Sequence, residues 1–283
     1  MTMPFYVAPE QVMKDRAEYA QKGIARGRAL VATIYDAGVL IVAENPSRTL
    51  HKISEIYDRV AFAGVGKYNE FDQLRVAGVR HADTKGFAYS REDVDARSLA
   101  NLYAQYLGQV FTHEMKPLEV EILVAELDAS GVAHQLYHIA YDGTVVDETG
   151  YSVLGGDAAT ITDRLGASYD KGWTLGEALR HCVAALAGPE RTLGPAELEV
   201  AVLTAGTDRR SFRRLVNGEL ETMLSVSQLP PSSEEADESG TPNGSEKGAE
   251  ATDSAEARAA ESGASETELP AVPGAEVGGP DSQ

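Results

Sequence analysis

Cysteine is almost missing from this chain. Cys182 stands alone, so no disulfide can form within it, as expected of a protein from a reducing compartment. Set among Val183, Ala184 and Leu186 on a helical pattern, it reads as a small buried hydrophobe rather than a reactive thiol. No basic stretch followed by an apolar one opens the sequence, so a secretory signal is not expected. No apolar run approaches the ~20 residues that cross a bilayer. Positive charge is also scarce. Lys and Arg number 25 against 44 Asp and Glu, a formal charge of −19. Nucleic acid and anionic membranes are therefore unexpected partners, and a soluble cytoplasmic protein is the expectation.

Motifs for metal, nucleotide or serine chemistry are missing too. His51, His81, His113, His134, His138 and His181 are scattered, with no HExxH context and no second cysteine. His134 and His138 share a strand face, but two ligands do not hold a metal, so neither metal nor cofactor is expected. Gly155-Gly156-Asp157 precedes a helix without the glycine-rich phosphate pattern or a GK[ST]; it reads as a turn that lets chain and helix pack closely. No GxSxG elbow occurs.

From Leu229 to Gln283 there is no aromatic residue. Thirteen acidic residues face only Lys247 and Arg258, amid Ser, Ala, Gly and Pro. Such a segment buries too little apolar surface to offset its ordering entropy, so residues 229–283 are expected to be a disordered acidic tail.

The body is richly patterned. PEQVMKDRAEYAQKG predicts a helix with Pro9 near its start, Gly23 after its end, and a narrow stripe of Val12, Met13, Ala17, Ala20 and Ile24. ALVATIY and GVLIVAE, joined at Asp36-Ala37-Gly38, predict a hairpin. RTLHKISEI and RVAFAGVG add two strands. KYNEFDQLRVAGVRHADTKGFAY turns to helical spacing, and Asp93 is placed to cap a second helix carrying Leu99, Leu102, Tyr103, Tyr106 and Phe111. VEILVAELD, HQLYHIAYDG, GTVVDETG and YSVLGG return to strand. DAATITDRLGASYD and TLGEALRHCVAALAG are helices, LEVAVLTAG a last buried strand, and RSFRRLVNGELETML a strand edge with a short helix. The strands are apolar on nearly every residue, as when one face meets a second sheet and the other meets helices. The predicted class is α/β (α+β): a four-layer αββα sandwich of two mainly antiparallel sheets flanked by helices.

One nucleophile candidate remains. Loss of Met1 would leave Thr2 as an N-terminal threonine, whose own amine can act as its base. A whole helix separates Thr2 from the first strand, and a catalytic threonine must be held rigidly beside its base and oxyanion donors. The order of elements speaks against it.

PEQVM, ARG, GVLIVAENPSRTLHKISEIYDRV, VGKYNEFDQLR and RSLANLYAQYLGQVFT closely resemble the α-type subunits of actinobacterial 20S proteasomes. VEILVAEL, YHIAYDGTVVDE, LEVAVL and RRSFRRL continue the match, from about Phe5 to Val226. The resemblance implies the N-terminal-nucleophile hydrolase sandwich. In that fold the catalytic β subunits begin at the first strand with a threonine, completed by an acid and a lysine. Those positions fall here near Gly27 or Arg28, where no threonine or free terminus exists, and on Glu44 and Lys52. The resemblance thus implies no catalytic residue. It implies a heptameric α ring stacked on β subunits, with a gate segment, residues 1–8, before the domain of residues 9–228. Met1, Thr2, Met3, Pro4, Phe5, Tyr6, Val7 and Ala8 would converge on the axis, although the Tyr-Asp-Arg gate motif of archaeal and eukaryotic relatives is absent. Gly23, Lys52 and Lys67 would form a pocket for the C-terminal tail of an AAA+ ring ATPase, whose carboxylate pairs with a lysine. Protein substrates carrying a prokaryotic ubiquitin-like modifier are implied by the same resemblance. Two alternatives stay open: an autonomous hydrolase of this fold, and a structural self-assembling ring.

Overall fold

The computed structural model describes residues 8–128, 134–206 and 210–225. The expectations for Met1, Thr2, Met3, Pro4, Phe5, Tyr6 and Val7, and for the acidic tail, lie outside the described residues. Ala8 is exposed and directly precedes the first helix.

Helix α1 (Pro9–Ala25) starts with proline, whose missing N–H costs nothing in a first turn. Strands β1 (Leu30–Tyr35) and β2 (Gly38–Glu44) form a hairpin in which Val31 faces Val42 and Tyr35 faces Gly38. Strands β3 (Ile53–Tyr57) and β4 (Val60–Gly66) lead to helices α2 (Tyr68–Ala88) and α3 (Ala96–His113). There follow β5 (Val120–Glu126), β6 (Gln135–Ile139), β7 (Val145–Asp147) and β8 (Tyr151–Leu154). Helices α4 (Ala158–Gly166) and α5 (Leu175–Ala187) precede β9 (Leu198–Thr204), β10 (Phe212–Arg214) and α6 (Asn217–Ser225).

The strands make two five-stranded sheets, ordered β10-β9-β2-β1-β8 and β3-β4-β5-β6-β7. Every pairing is antiparallel. Leu30, Ala32, Ile41, Leu123 and Leu136 fill the space between the sheets. On the outer face of the first sheet, Val31, Leu40 and Val202 pack with Leu179, Cys182 and Leu186 of α5. On the outer face of the second, Phe62, Ile122 and Ile139 pack with Leu74, Leu99 and Tyr103 of α2 and α3. This is the αββα sandwich that the double-sided strands predict. Cys182 is fully buried, and burial pushes its thiol far up.

Four local expectations need correction. Gly23, expected after the end of the first helix, lies inside α1, which runs on to Ala25. The stripe of α1 is only half used: Ala20 and Ile24 join the core between the sheets, whereas Val12 and Met13 stay exposed. The last turns of the helix pack against the core between the sheets, and among the described residues nothing buries Val12 and Met13 of its first turns. The cap of α3 is Asp95, which accepts from the Ser98 amide at 2.7 Å, not Asp93. Asp93 closes a capping box with Ser90 over an intervening 3₁₀ turn. On α3 itself Tyr106 is exposed, and the buried face runs through Ala96, Leu99, Ala100, Tyr103 and Leu107. The glycine pair behaves as the sequence suggests. Gly155 and Gly156 have φ of +70° and +56°, and a Cβ on Gly156 would come within 3.2 Å of the Ala29 methyl.

Candidate functional site: a braced cleft and a cationic rim

The chain runs unbroken from α1 into β1 through Gly27, Arg28 and Ala29, with the Gly27 amide still bonded to the Ile24 carbonyl at 2.9 Å. Beside this segment lies a cleft of about 640 Å³ whose walls include Gly27, Arg28, Glu44, Arg164 and Arg191. Among the described residues, no serine, threonine or cysteine side chain lines it. Glu44, at the end of β2, is buried and gripped by two guanidinium groups. Arg28 donates to it at 3.1 Å, and Arg191 donates to both its oxygens at 3.2 Å. Oε1 thus accepts from both guanidinium groups and Oε2 from one, which holds the carboxylate in place.

Lys52 lies one strand away, at the entry to β3. Its ammonium donates to the Arg28 carbonyl at 2.5 Å, while the nearby carboxylates Glu44 and Glu199 are paired with Arg28 and Arg214. Burial pushes its pKa down to about 8, helped by Arg28 and opposed by Glu44 and Glu199. Among the described residues, the three N–H donors of Lys52 find one acceptor, the Arg28 carbonyl.

Glu199 explains why the nearer carboxylates are not available to it. This buried side chain of β9 accepts from the main-chain amides of Lys52 at 2.8 Å and Ile53 at 3.2 Å, from Asn45 Nδ2 at 2.8 Å, and from Arg214. His51 Nδ1 sits 3.3 Å away. The network clamps the whole connection between β2 and β3 and so fixes where Lys52 projects.

Gly23 and Lys67 meet at a third carboxylate, Glu119. Lys67 Nζ donates to Glu119 Oε1 at 2.5 Å, with Lys116 Nζ 3.1 Å from the same oxygen. Burial alone would raise the Glu119 pKa, but hydrogen bonds from Lys67, Lys116 and Tyr19 outweigh it and hold the carboxyl below its usual range. Gly23 is pressed against this side chain: a Cβ there would lie 2.1 Å from Glu119 Oε2. The two halves of the rim are joined by the end of β4. The Gly64 amide bonds the Lys52 carbonyl at 3.0 Å, and the Lys67 amide bonds the Glu119 carbonyl at 3.0 Å. The structure thus unites Gly23 and Lys67 directly, and places Lys52 along the same strand end.

Replacing Gly23 by alanine should drive Glu119 off its position and break the Lys67 pair. The expected loss is about 1–3 kcal/mol in chemical denaturation. The double variant G23A/E119A should be less destabilised than the sum of the singles; strict additivity would show that Gly23 and Glu119 are not coupled.

Sequence reading missed Glu199, Glu119 and Arg191. A lone glutamate inside the otherwise apolar LEVAVLT was the available signal for the first. His134 precedes β6, and His138 lies between Glu121 and Glu148 at 3.8 and 3.7 Å, so the two histidines do not form one site. Among the described residues no group of three His, Cys, Asp or Glu could hold a metal, and no helix is long and apolar enough to cross a membrane.

The protein is of the αββα sandwich class, with a cleft beside its first strand that holds the acid Glu44 and, among the described residues, no hydroxyl or thiol side chain. Comparison with known proteins gives the family. The profile described as "Proteasome subunit" matches residues 24–203. A protein named "Proteasome subunit alpha" from Acidimicrobium ferrooxidans is 64% identical over 224 residues, covering 79% of this chain and 97% of its own. Proteins of that name from Sanguibacter keddieii and Saccharopolyspora erythraea are 56% and 53% identical, covering 79% and 88% of this chain and 90% and 94% of theirs. The chain belongs to the proteasome subunit family and groups with its α-type members.

Proposed function

We propose that this chain is a non-catalytic subunit of a proteolytic chamber. Seven copies form an outer ring on rings of catalytic β subunits. The observation that carries this reading is the cleft at Gly27 and Arg28: its acid is already bound by two arginines, and among the described residues no hydroxyl or thiol side chain lines it. An acid and a lysine without a nucleophile cannot form the covalent intermediate of N-terminal-nucleophile hydrolysis. The rival reading, an autonomous hydrolase, would need scission near Arg28 and a hydroxyl that the cleft lacks.

The same subunit gates and docks. Residues Met1 to Ala8 close the axial entrance, and the rim of Gly23, Lys52 and Lys67 receives the C-terminal carboxylate of a ring ATPase tail. Lys52 supports the docking role, because an ammonium with one acceptor in a half-buried setting favours an added carboxylate. The proteins delivered are unfolded substrates tagged with a ubiquitin-like modifier, in the cytoplasm.

Native mass spectrometry of the chain, alone and co-expressed with its β partner, tests the core of this proposal alongside peptidase assays. The expected result is activity only in the joint particle, with this chain intact around Arg28. Activity from this chain alone, or cleavage there, would overturn it. A stable ring that never takes up β subunits would favour the purely structural alternative.

A further inference from the structure

The rim already contains a carboxylate of its own. Glu119 directly precedes β5 and is buried beneath two lysines. Lys67 Nζ lies 2.5 Å and Lys116 Nζ 3.1 Å from the same oxygen, Oε1. The other oxygen, Oε2, faces Gly23 of α1, and Tyr19 one turn earlier on that helix also donates to this carboxylate. The two lysines are not held alike. Lys116 has a second carboxylate, Glu70 Oε1 at 2.8 Å, and Glu70 is itself fixed by the main-chain amide of Glu119 at 2.7 Å. Among the described residues, Lys67 has one carboxylate partner, Glu119.

We propose that Glu119 is a built-in stand-in for the docking carboxylate: it occupies Lys67 while the rim is empty and yields it when a chain terminus arrives. This deepens the docking role proposed above and rests on it. The Lys67 side chain is 45% exposed and that of Glu119 only 9%, so a carboxylate from solvent reaches the ammonium while Glu119 stays beneath it. The exchange leaves no charge without a partner. Lys67 passes from Glu119 to the new carboxylate, Glu119 keeps Lys116 and Tyr19, and Lys116 keeps Glu70.

The stand-in sets what the rim accepts. In the empty rim Lys67 and Lys116 balance Glu70 and Glu119, so a stray anion meets no surplus charge. Without the charge of Glu119 one ammonium is left in surplus, and any carboxylate is held more tightly. Glu119 thus weakens every carboxylate by the same competition, and a terminus that also makes other contacts is the one that succeeds.

Full-length protein is titrated with a fluorescein-labelled peptide of the C-terminal tail of the ring ATPase from the same organism, made with a free carboxylate and as the amide. Glu119→Gln keeps the shape and removes the charge. The expected result is roughly fivefold tighter binding of the carboxylate form than by the parent, with the amide unchanged. Glu119→Asp draws the charge back by one methylene and should give a smaller gain of the same sign, which serves if E119Q does not fold. In a Lys67→Met background the gain from E119Q should disappear, because the contested ammonium is gone. Unchanged or weaker binding in E119Q, an equal gain in the Lys67→Met background, or an equal gain with the amide would overturn the proposal. The function beneath it fails differently. If Lys52→Ala weakens binding and E119Q leaves it unchanged, docking stands and the stand-in falls. If E119Q binds more tightly while Lys52→Ala binds like the parent, the stand-in holds and the role of Lys52 falls. Carboxylate-dependent binding in neither the parent nor E119Q overturns both.

Discussion

Glu199→Ala is expected to cost the fold about 3–5 kcal/mol, the range for breaking a buried, hydrogen-bonded charge. The carboxylate anchors four donors: two main-chain amides, Asn45 and Arg214. Its removal leaves Arg214 facing a hole beside the Ile53 carbonyl that it also binds. At roughly 2–4 °C per kcal/mol for a domain of this size, the melting temperature should fall by about 6–20 °C. Glu199→Gln keeps the shape and loses the charge, and should fall between the two. A melting point within a few degrees of the parent's for E199A would show that the β2–β3 connection holds itself.

The second large effect is on binding rather than folding. Lys52→Ala should weaken a peptide ending in a free carboxylate roughly 10- to 100-fold, as expected on losing a hydrogen bond to a charged group. An amidated peptide should bind both forms equally weakly. Acidity sets the sign of the accompanying pH dependence. The Lys52 pKa is lowered to about 8, so its charge is present below that pH and lost as the pH rises through it. A bound carboxylate stabilises the ammonium, so affinity should be greatest below pH 8. It should then decline by up to about tenfold per pH unit above it. Fluorescence anisotropy across pH 6.5–9.5 would show this. A flat profile, or one unchanged in K52A, would place the carboxylate elsewhere.

Much of the architecture was legible because it is local. GVLIVAE and VAFAGVG are apolar on both faces, and only a strand with another sheet on one side and helices on the other can bury such a pattern. The helix termini were legible to within a turn, except where Asp93 and Asp95 competed and a 3₁₀ turn took the first. The site was legible only in part. Glu44 and Lys52 could be placed by resemblance, but not their partners. Arg191 reaches Glu44 across 147 positions, and Glu199 reaches the Lys52 amide across the same span. No periodicity encodes a contact at that distance. The exposed first turns of α1 were equally hidden, since a stripe at helical spacing does not say how much of it this chain itself will cover.

The strands at the margins of the two sheets carry a further consequence. β7 and β10 are three residues long, β8 is four and β3 is five. Strands so short offer a neighbouring polypeptide few free main-chain groups, so neither sheet can readily grow by strand addition. In the ring proposed above, copies of this chain would then meet through side chains on helices and loops, where Val12, Met13, Tyr19, Phe87 and Tyr89 are exposed. Such seams are finite and shape-specific. Whether such seams give a closed ring or an open filament is set by the rotation each one imposes between neighbours.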